Sequence, residues 1–229
     1  MILVLGSVTV ASALNVPASA ADRANPTVVE LFTAQGCAAC PPAQAAVNAL
    51  AGRDDLIVLT FAVTYWDSLG WRDRFAQPAF TARQRAYAQV GKRQLATPQV
   101  VLNGRFAVVG NDRDVLMRAI DSADRGDRGP AIAVVDGWLT VAADARSARR
   151  ADVWLVSYDP RTIAVPVRAG ENAGRTLPHR NVVRRLDRIG AWSGTAIRYP
   201  LPPPRGGLRR AVLVQSADGG AIVAARVVE

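Results

Sequence analysis

The sequence is poor in cysteine, histidine and lysine: its 229 residues include two cysteines, one histidine and a single lysine, Lys92. Two cysteines exclude a disulfide-dense scaffold. Beyond the N-terminus, no apolar run approaches the roughly 20 residues that a membrane-spanning helix needs, which excludes a multi-span membrane protein. Half of the residues are hydrophobic and 21% are charged. We therefore expect a globular chain with a real core, neither disordered nor collagen-like.

Positive charge is in excess but is not concentrated. The chain has 28 basic and 19 acidic residues, a formal charge of +9 and a pI near 10.8. Such a balance raises the question of a nucleic acid or an anionic surface as partner. The excess lies mostly in the C-terminal third, where the arginines are scattered and form no stripe interleaved with stacking aromatics. We therefore expect no nucleic-acid partner.

The N-terminus has the pattern of an export signal. Ile2–Leu14 is an apolar stretch of the length of a signal-peptide core, and Ala18-Ser19-Ala20 supplies the small residues of a cleavage site. We predict a signal peptide at 1–20, a mature chain from near Ala21, a periplasmic or secreted location, and no integral membrane segment after processing. No basic residue precedes the apolar stretch, so an apolar first strand is the alternative.

The N-terminal half alternates predicted strands and helices. Its apolar, β-branched runs indicate buried strands, its alanine- and glutamine-rich runs indicate helices, and Asn103-Gly104 is a hairpin signal. We assign an α/β unit to 26–123 and a polar, breaker-rich linker to 124–130. The predicted order is strand Thr27–Thr33, helix Ala43–Ala51, strand Leu56–Val63, helix Pro78–Val90, strands Gln99–Leu102 and Phe106–Val109, and helix Asp112–Ala123.

The C-terminal half, 131–229, changes to short β runs. Because no long helix intervenes, we predict an antiparallel, sandwich-like all-β domain after the α/β domain. The segment Val182–Ile189 fits either one or two helical turns or a further strand. The other runs are Ala131–Val135, Gly137–Ala142, Ala151–Tyr158, Ile163–Val167, Gly194–Tyr199, Leu208–Gln215 and Ala221–Val228.

The two cysteines, Cys37 and Cys40, stand two residues apart where a predicted strand passes into a helix. This CxxC spacing is typical of thiol–disulfide exchange, because both sulfurs can approach bonding distance in the first turn of a helix. The first cysteine lies nearest the unpaired backbone N–H groups, which stabilise a thiolate. We therefore predict Cys37 as the attacking, more exposed thiol and Cys40 as the resolving thiol.

Other roles for the pair remain open. A structural disulfide is one, although a four-residue loop gains little from the entropy that makes longer crosslinks stabilising. Half of a zinc or copper site is another, but the chain offers a single histidine, His179, far away in sequence. Inert buried thiols are the third. We expect no metal and no cofactor.

Six segments of the chain together carry a family resemblance: Val29–Pro42, Tyr65–Trp71, Phe80–Tyr87, Thr97–Gln99, Gly170–Leu177 and Asn181–Arg184. They resemble an uncharacterised thioredoxin-like family of secreted bacterial proteins with plant relatives, classed as a domain of unknown function. The resemblance covers the whole mature chain and implies a thioredoxin-like fold carrying the CxxC. The Ala38-Ala39 pair departs from the small polar pair associated with the family, so its redox poise does not transfer.

The resemblance also assigns a role to Thr97 and Pro98. In thioredoxin-like proteins the proline before the third strand is cis and faces the CxxC, and backbone groups of the preceding residue pair with a bound peptide. By position Pro98 is that proline and Thr97 the substrate-binding residue. A trans loop proline is the alternative, since only about 5 to 6% of X–Pro bonds are cis in general.

Four further side chains are candidates for the site or for packing near it. Glu30 interrupts an apolar strand and is either a proton acceptor for Cys40 or a strand-end residue bonded to a loop. Trp66 and Trp71 either line a peptide-binding groove or pack an insertion against the core. We expect His179 to be a hydrogen-bonded loop or surface histidine.

These features predict an exported thiol–disulfide oxidoreductase that acts through Cys37 and Cys40 on protein thiols or disulfides, with a redox partner protein. The alternatives are a redox-inactive binding protein on the same scaffold, whose disulfide is structural, and a copper-handling protein.

Overall fold

The computed structural model describes residues 21–145 and 150–228, so the predicted signal peptide at 1–20 lies outside the described residues. In the described part, no helix is long and apolar enough to cross a membrane. The elements are β1 (Thr27–Thr33), α1 (Cys40–Asn48), β2 (Leu56–Ala62), α2 (Pro78–Val90), β3 (Gln99–Leu102), β4 (Phe106–Val108), α3 (Arg113–Ala123), β5 (Ile132–Val135), β6 (Trp138–Val141), β7 (Ala151–Asp159), β8 (Ile163–Pro166), β9 (Thr176–His179), β10 (Val182–Trp192), β11 (Ile197–Pro200), β12 (Arg209–Ser216) and β13 (Ile222–Val228).

Most of the predicted elements are confirmed, and β1, α2 and β3 have the predicted bounds. Helix α1 begins earlier than expected, at Cys40, because Pro41 and Pro42 occupy its first turn, where a missing backbone N–H costs nothing. The ambiguous segment Val182–Ile189 is part of strand β10. Strand β9, whose sequence TLPH contains a proline, was not expected.

One mixed sheet of eight strands organises the chain, in the order β13-β12-β7-β10-β2-β1-β3-β4. Strand β2 runs parallel to β1 and to β10, whereas the other neighbouring strands are antiparallel. Strands β1 and β2 are buried along their whole length, as central strands covered on both faces should be. Helices α1 and α3 pack on one face, and α2 packs on the other. The fold is therefore mixed α/β with additional small sheets.

The C-terminal strands do not form the separate sandwich that the sequence predicted. Strands β7, β10, β12 and β13 continue the sheet of the N-terminal half, so the sheet extends across the predicted linker 124–130. The junction is the edge of β2, where the Thr60 N–H donates to the Asn181 carbonyl (3.0 Å) and the Asn181 amide donates to the Val58 carbonyl (2.9 Å). The backbone N–H and C=O groups along this edge of a strand as apolar as β2 need hydrogen-bond partners. A segment distant in sequence supplies them.

Sandwich packing does occur locally. The three-stranded sheet β11-β6-β5 covers the outer strands of the large sheet. Leu139 and Val141 of β6 enter a core shared with Val153, Val212 and Trp192 of the large sheet. The short C-terminal β runs thus do form a two-layer contact, but one of its layers belongs to the common sheet.

The large sheet curls, and its two ends approach each other. Strand β13 contacts β1 and β2, and the Ile222 N–H donates to the carbonyl of Asn103 at 2.9 Å. Gly104, in the turn after β3, has a φ of +65°, and a Cβ there would lie 2.6 Å from the Gly220 carbonyl oxygen. The Asn-Gly turn is therefore needed both for its backbone conformation and for this close approach.

A fully satisfied polar network lies inside the curl. The guanidinium of Arg83 donates to Glu30 (2.6 Å), to the Tyr87 hydroxyl (2.8 Å) and to Gln215 (3.0 Å), and the Tyr87 hydroxyl donates to Glu30. Glu30 is completely buried and Arg83 is nearly so. The network ties β1, α2 and β12 together, because each charge depends on partners from another element.

We expect Glu30→Gln to destabilise the protein by about 3 to 5 kcal/mol, because Arg83 keeps its charge in the core and loses its counter-ion. Urea unfolding followed by circular dichroism measures the change. Asp187→Asn, which breaks the exposed Arg185–Asp187 pair, is the matched control and should leave the urea midpoint unchanged. Equal midpoints for the two variants would contradict the central role of the network.

Candidate functional site

The two cysteines form a disulfide in the turn between β1 and α1, with their Cα atoms 5.4 Å apart. Cys40 is the first residue of α1, and Cys37 lies in the turn before the helix, where its carbonyl accepts the Cys40 N–H at 3.1 Å. The sequence placed both cysteines in the first helical turn. Cys37 is instead outside the helix, at the end where the unpaired N–H groups point.

Both cysteines are buried: Cys37 is 1% exposed and Cys40 is 2% exposed. The expectation that Cys37 is the more exposed cysteine is therefore wrong for the oxidised protein. The side chains at the surface are the two between them, Ala38 and Ala39. The pair is covered because loops from three separate parts of the chain meet over it.

The first of these loops contains the predicted substrate-binding residue. The Thr97–Pro98 peptide bond is cis, as predicted. The Thr97 carbonyl oxygen lies 3.7 Å from Cys37 Sγ, and the Trp66 indole N–H donates to the Thr97 hydroxyl at 2.8 Å. The structure thus brings Cys37, Thr97, Pro98 and Trp66 together. A half-buried Trp66 holding Thr97 combines the packing and the site interpretations.

The second covering segment comes from the C-terminal half and consists of residues 170–175. Asn172 is fully buried, and its amide donates to the carbonyls of Gln35 (2.9 Å) and Cys37 (2.8 Å). The Glu171 carboxylate accepts the Ala38 N–H at 2.8 Å. The Arg175 guanidinium donates to the side-chain amide oxygen of Asn172. The cysteine turn is therefore fastened to the C-terminal half by side-chain hydrogen bonds.

Sequence reasoning assigned no role to Glu171 and Asn172, although their segment carries part of the family resemblance. A signal was present, because this short polar stretch lies between Gly170 and Gly174, both at positive φ. Polar loop residues held between such glycines are candidates for capping another loop. Their target, more than 130 residues away, cannot be read from spacing.

The third covering loop follows β2 and contains Trp71, whose indole N–H donates to the side-chain carbonyl of Gln35 at 2.9 Å. Asp73, buried in the same loop, accepts the Gln35 N–H at 2.9 Å and the Phe75 N–H at 2.9 Å. Burial raises the pKa of the Asp73 carboxyl, against the effect of these two hydrogen bonds. Trp71 and Asp73 therefore fasten this loop to Gln35, two residues before Cys37.

Glu30, a candidate proton acceptor for Cys40, is not available for that role. Both of its carboxylate oxygens are engaged, by Arg83 and by the Tyr87 hydroxyl. Of the two interpretations of Glu30, the structure favours a structural one, with partners in a helix and not in a loop.

A pocket of about 230 Å³ lies on the Cys40 side of the disulfide. It is lined by Cys40, Gln44 and Arg175, and by His179 at the end of β9. The predicted loop or surface histidine is thus a buried strand residue, and its Nε2 has no hydrogen-bond partner among the described residues. Burial lowers the pKa of His179 to about 4, and the charge of Arg74 acts in the same direction.

A comparison with protein families assigns the chain to one of them. Residues 28–215 match the model of a family described as "Protein of unknown function (DUF1223)". The chain belongs to this family. In the described part of this DUF1223 chain, no three His, Cys, Asp or Glu side chains cluster as metal ligands.

Solved structures include two similar proteins. The crystal structure of protein AGR_C_4864 from Agrobacterium tumefaciens is 30% identical, with a TM-score of 0.73 over 91% of this chain and 94% of that chain. HBP35 of Porphyromonas gingivalis is 13% identical, with a TM-score of 0.57 over 89% of this chain and 74% of that chain, a likeness of fold alone. A comparison with proteins of curated function gave no match.

We expect Glu171→Gln to increase the alkylation rate of Cys37 in the reduced protein roughly two- to fivefold at pH 7. Glutamine still accepts the Ala38 N–H, but it removes a negative charge that opposes a Cys37 thiolate. The rate is measured with iodoacetamide and peptide mass mapping. The control Asp127→Asn removes an exposed acid away from the cysteines and should leave the rate unchanged. A slower reaction in Glu171→Gln would refute this account.

We expect the stability of the protein to fall by about 3 kcal/mol as the pH drops from 6.5 to 4, because the unfolded state binds a proton at His179 that the folded state excludes. The pKa of His179 is lowered from 6.5 to about 4, so this contribution is complete above pH 6.5 and is lost toward pH 4. His179→Gln should remove this part of the pH dependence. Urea titrations of both proteins between pH 7 and 4 test it, and parallel curves would show that His179 is not the group responsible.

Proposed function

We propose that the protein is an exported thiol–disulfide oxidoreductase, in which Cys37 and Cys40 exchange disulfides with protein thiols. The observation that carries the proposal is the Cys37–Cys40 disulfide directly before α1, with the Thr97 carbonyl and the cis Pro98 beside Cys37. A purely structural crosslink needs neither the helix N-terminus nor a backbone carbonyl next to the sulfur.

The arrangement of residues 27–123 supports a thioredoxin-like unit around the pair. Its elements follow the order β1-α1-β2-α2-β3-β4-α3, and its strands lie in the order β2-β1-β3-β4. β1 is parallel to β2 and antiparallel to β3, and the cysteine turn follows the C-terminal end of β1. Reactive groups on open α/β sheets occur at the carboxyl ends of the strands.

In the exchange, a thiolate of the partner protein attacks the Cys37 sulfur. A partner–Cys37 bond forms, and the Cys37–Cys40 bond breaks. Cys40 leaves with the electron pair as a thiolate, which takes up a proton. A second thiolate of the partner then attacks the partner sulfur that is bonded to Cys37. The partner's disulfide forms, the partner–Cys37 bond breaks, and Cys37 leaves as a thiolate. The partner is oxidised by two electrons and the cysteine pair is reduced by two, and the reverse sequence reduces a partner disulfide.

Access to the sulfur requires one covering segment to move, since both sulfurs are buried. Residues 170–175 are the best candidate, because most of the segment is exposed and polar side-chain hydrogen bonds hold it to the cysteine turn. A partner peptide that displaced Glu171 would find the Ala38 N–H and the Thr97 carbonyl as hydrogen-bonding groups on either side of Cys37. These groups favour an extended peptide as the substrate.

The proposed location is the periplasm or the exterior of the cell, where disulfides persist. It is supported by the apolar stretch Ile2–Leu14 and the small residues that follow it. The proposed partners are proteins with free thiols or exposed disulfides, together with a redox protein that restores the cysteine pair.

Insulin reduction by dithiothreitol tests the proposal. The wild-type protein should accelerate the precipitation of insulin chains, and Cys37→Ser should abolish this effect. Cys40→Ser should stop turnover and trap a mixed disulfide on Cys37, visible by non-reducing electrophoresis. Ser122→Ala, an exposed substitution on α3, is the control and should retain full activity.

A second candidate function is a binding protein whose disulfide is structural, and the burial of both cysteines favours it. This second function predicts that the wild-type protein does not accelerate insulin precipitation. It also predicts that Cys40→Ser traps no mixed disulfide on Cys37. Either result would overturn the oxidoreductase proposal. The stability of the reduced protein separates the two functions further, since a structural crosslink leaves the protein less stable when it is broken.

A further inference from the structure

A large pocket lies at the opposite end of the sheet from the cysteines. Its volume is about 480 Å³, and it is open to solvent. It is lined by Pro26, just before β1, and by Leu56, the first residue of β2. Cys37 lies beyond the other end of β1, in the turn that follows Thr33. The seven residues of β1 separate the two sites by about 23 Å. The pocket is therefore independent of the redox chemistry.

Four arginines from four separate segments line this pocket, which we call the arginine pocket: Arg23, Arg53, Arg209 and Arg226. They meet because the curl of the sheet brings β13 and the start of β12 to the side of β1 and β2. Arg53 is paired with Asp55, and Asp54 is the acidic residue in the lining. Four positive charges against these two carboxylates leave an excess of two.

Three of these arginines, Arg23, Arg209 and Arg226, form no ion pair with the described residues. Arg23 and Arg209 are exposed, and neither forms a hydrogen bond through its side chain with the described residues. Arg226 donates to the carbonyl of Ile132 at 3.0 Å and retains further N–H groups. Guanidinium groups that converge on a concavity without counter-ions form a site for an anion.

The floor of the arginine pocket adds a second, independent feature. Tyr158 is 4% exposed, and its hydroxyl has no hydrogen-bond partner among the described residues. It lies directly across the ladder from Arg209. Leu56, Val58 and Val227 form an apolar part of the floor. The unpartnered hydroxyl of a buried tyrosine, beside these apolar side chains and below a cationic rim, fits a ligand with a polar head and an apolar body.

We propose that the arginine pocket binds a small organic phosphate monoester. The phosphate lies against Arg23 and Arg209 and accepts the Tyr158 hydroxyl, and the organic part covers the apolar floor. A phosphate monoester carries close to two negative charges at pH 7, which matches the excess of two positive charges that remains after Asp54 and Asp55 are counted against the four arginines. Arginine forks also suit phosphate oxygens better than a single point charge does.

Calorimetric titration with phenyl phosphate tests the proposal, at constant ionic strength in chloride buffer. We expect one saturable site on the wild-type protein. The double variant Arg23→Gln/Arg209→Gln should weaken binding roughly tenfold or more, and Tyr158→Phe should weaken it severalfold. Arg118→Gln, an exposed arginine on α3, is the control for net charge and should bind as the wild type does. Unfolding curves check that each variant is folded.

Two further probes separate the contribution of the phosphate head from that of the apolar body. Inorganic phosphate has the head without the apolar body and should bind more weakly than phenyl phosphate. Benzoate has the apolar body with a single negative charge and should bind more weakly as well. The proposal is overturned if phenyl phosphate gives no saturable binding, if Arg118→Gln weakens binding as much as the double variant, or if either probe binds as tightly as phenyl phosphate.

Discussion

The edge of β2 that faces β10 is the constraint on which the rest of the structure depends. β2 is buried along all seven residues, so its backbone groups need partners on both sides. β1 supplies one side, and the segment Arg180–Val182 supplies the other through backbone and side-chain hydrogen bonds. This pairing makes one sheet of two halves that look unrelated in sequence, and everything that the C-terminal half brings to the protein follows from it.

The candidate redox site shows this dependence most directly. The chain that enters β10 passes first over the cysteine turn, as residues 170–175, and then along α1, as β9. Asn172 therefore reaches the carbonyls of Gln35 and Cys37, and His179 reaches the pocket beside Cys40. The curl of the same sheet places arginines of β12 and β13 beside the start of β1. The cysteine turn and the arginine pocket thus lie at opposite ends of one sheet, and the Glu30–Arg83 network lies inside the curl of that sheet.

Local features of the fold were predictable because local physics decides them. The bounds of β1, α2 and β3 follow from apolar runs and from glycine and proline, and the Asn103-Gly104 turn follows from its conformational preference. The order of the strands was not predictable, because register and neighbours depend on contacts between distant segments. The short β runs that predicted a β sandwich do take part in a two-layer contact, but their pattern does not reveal which sheet forms the second layer.

For the site itself, the sequence alone determined the cysteine pair and its position between a strand and a helix, because spacing along one short segment fixes these features. The place of Pro98 opposite the pair was an implication of the family resemblance. Only the tertiary structure decided how buried the cysteines are and which groups touch them. Glu30 sits on the right strand, yet Arg83 and Tyr87 occupy its carboxylate. His179 seemed isolated in sequence, yet it shares a pocket with Cys40. The hydrogen bonds that cover the cysteine turn join segments more than 30 residues apart, and no local pattern encodes which segments will meet.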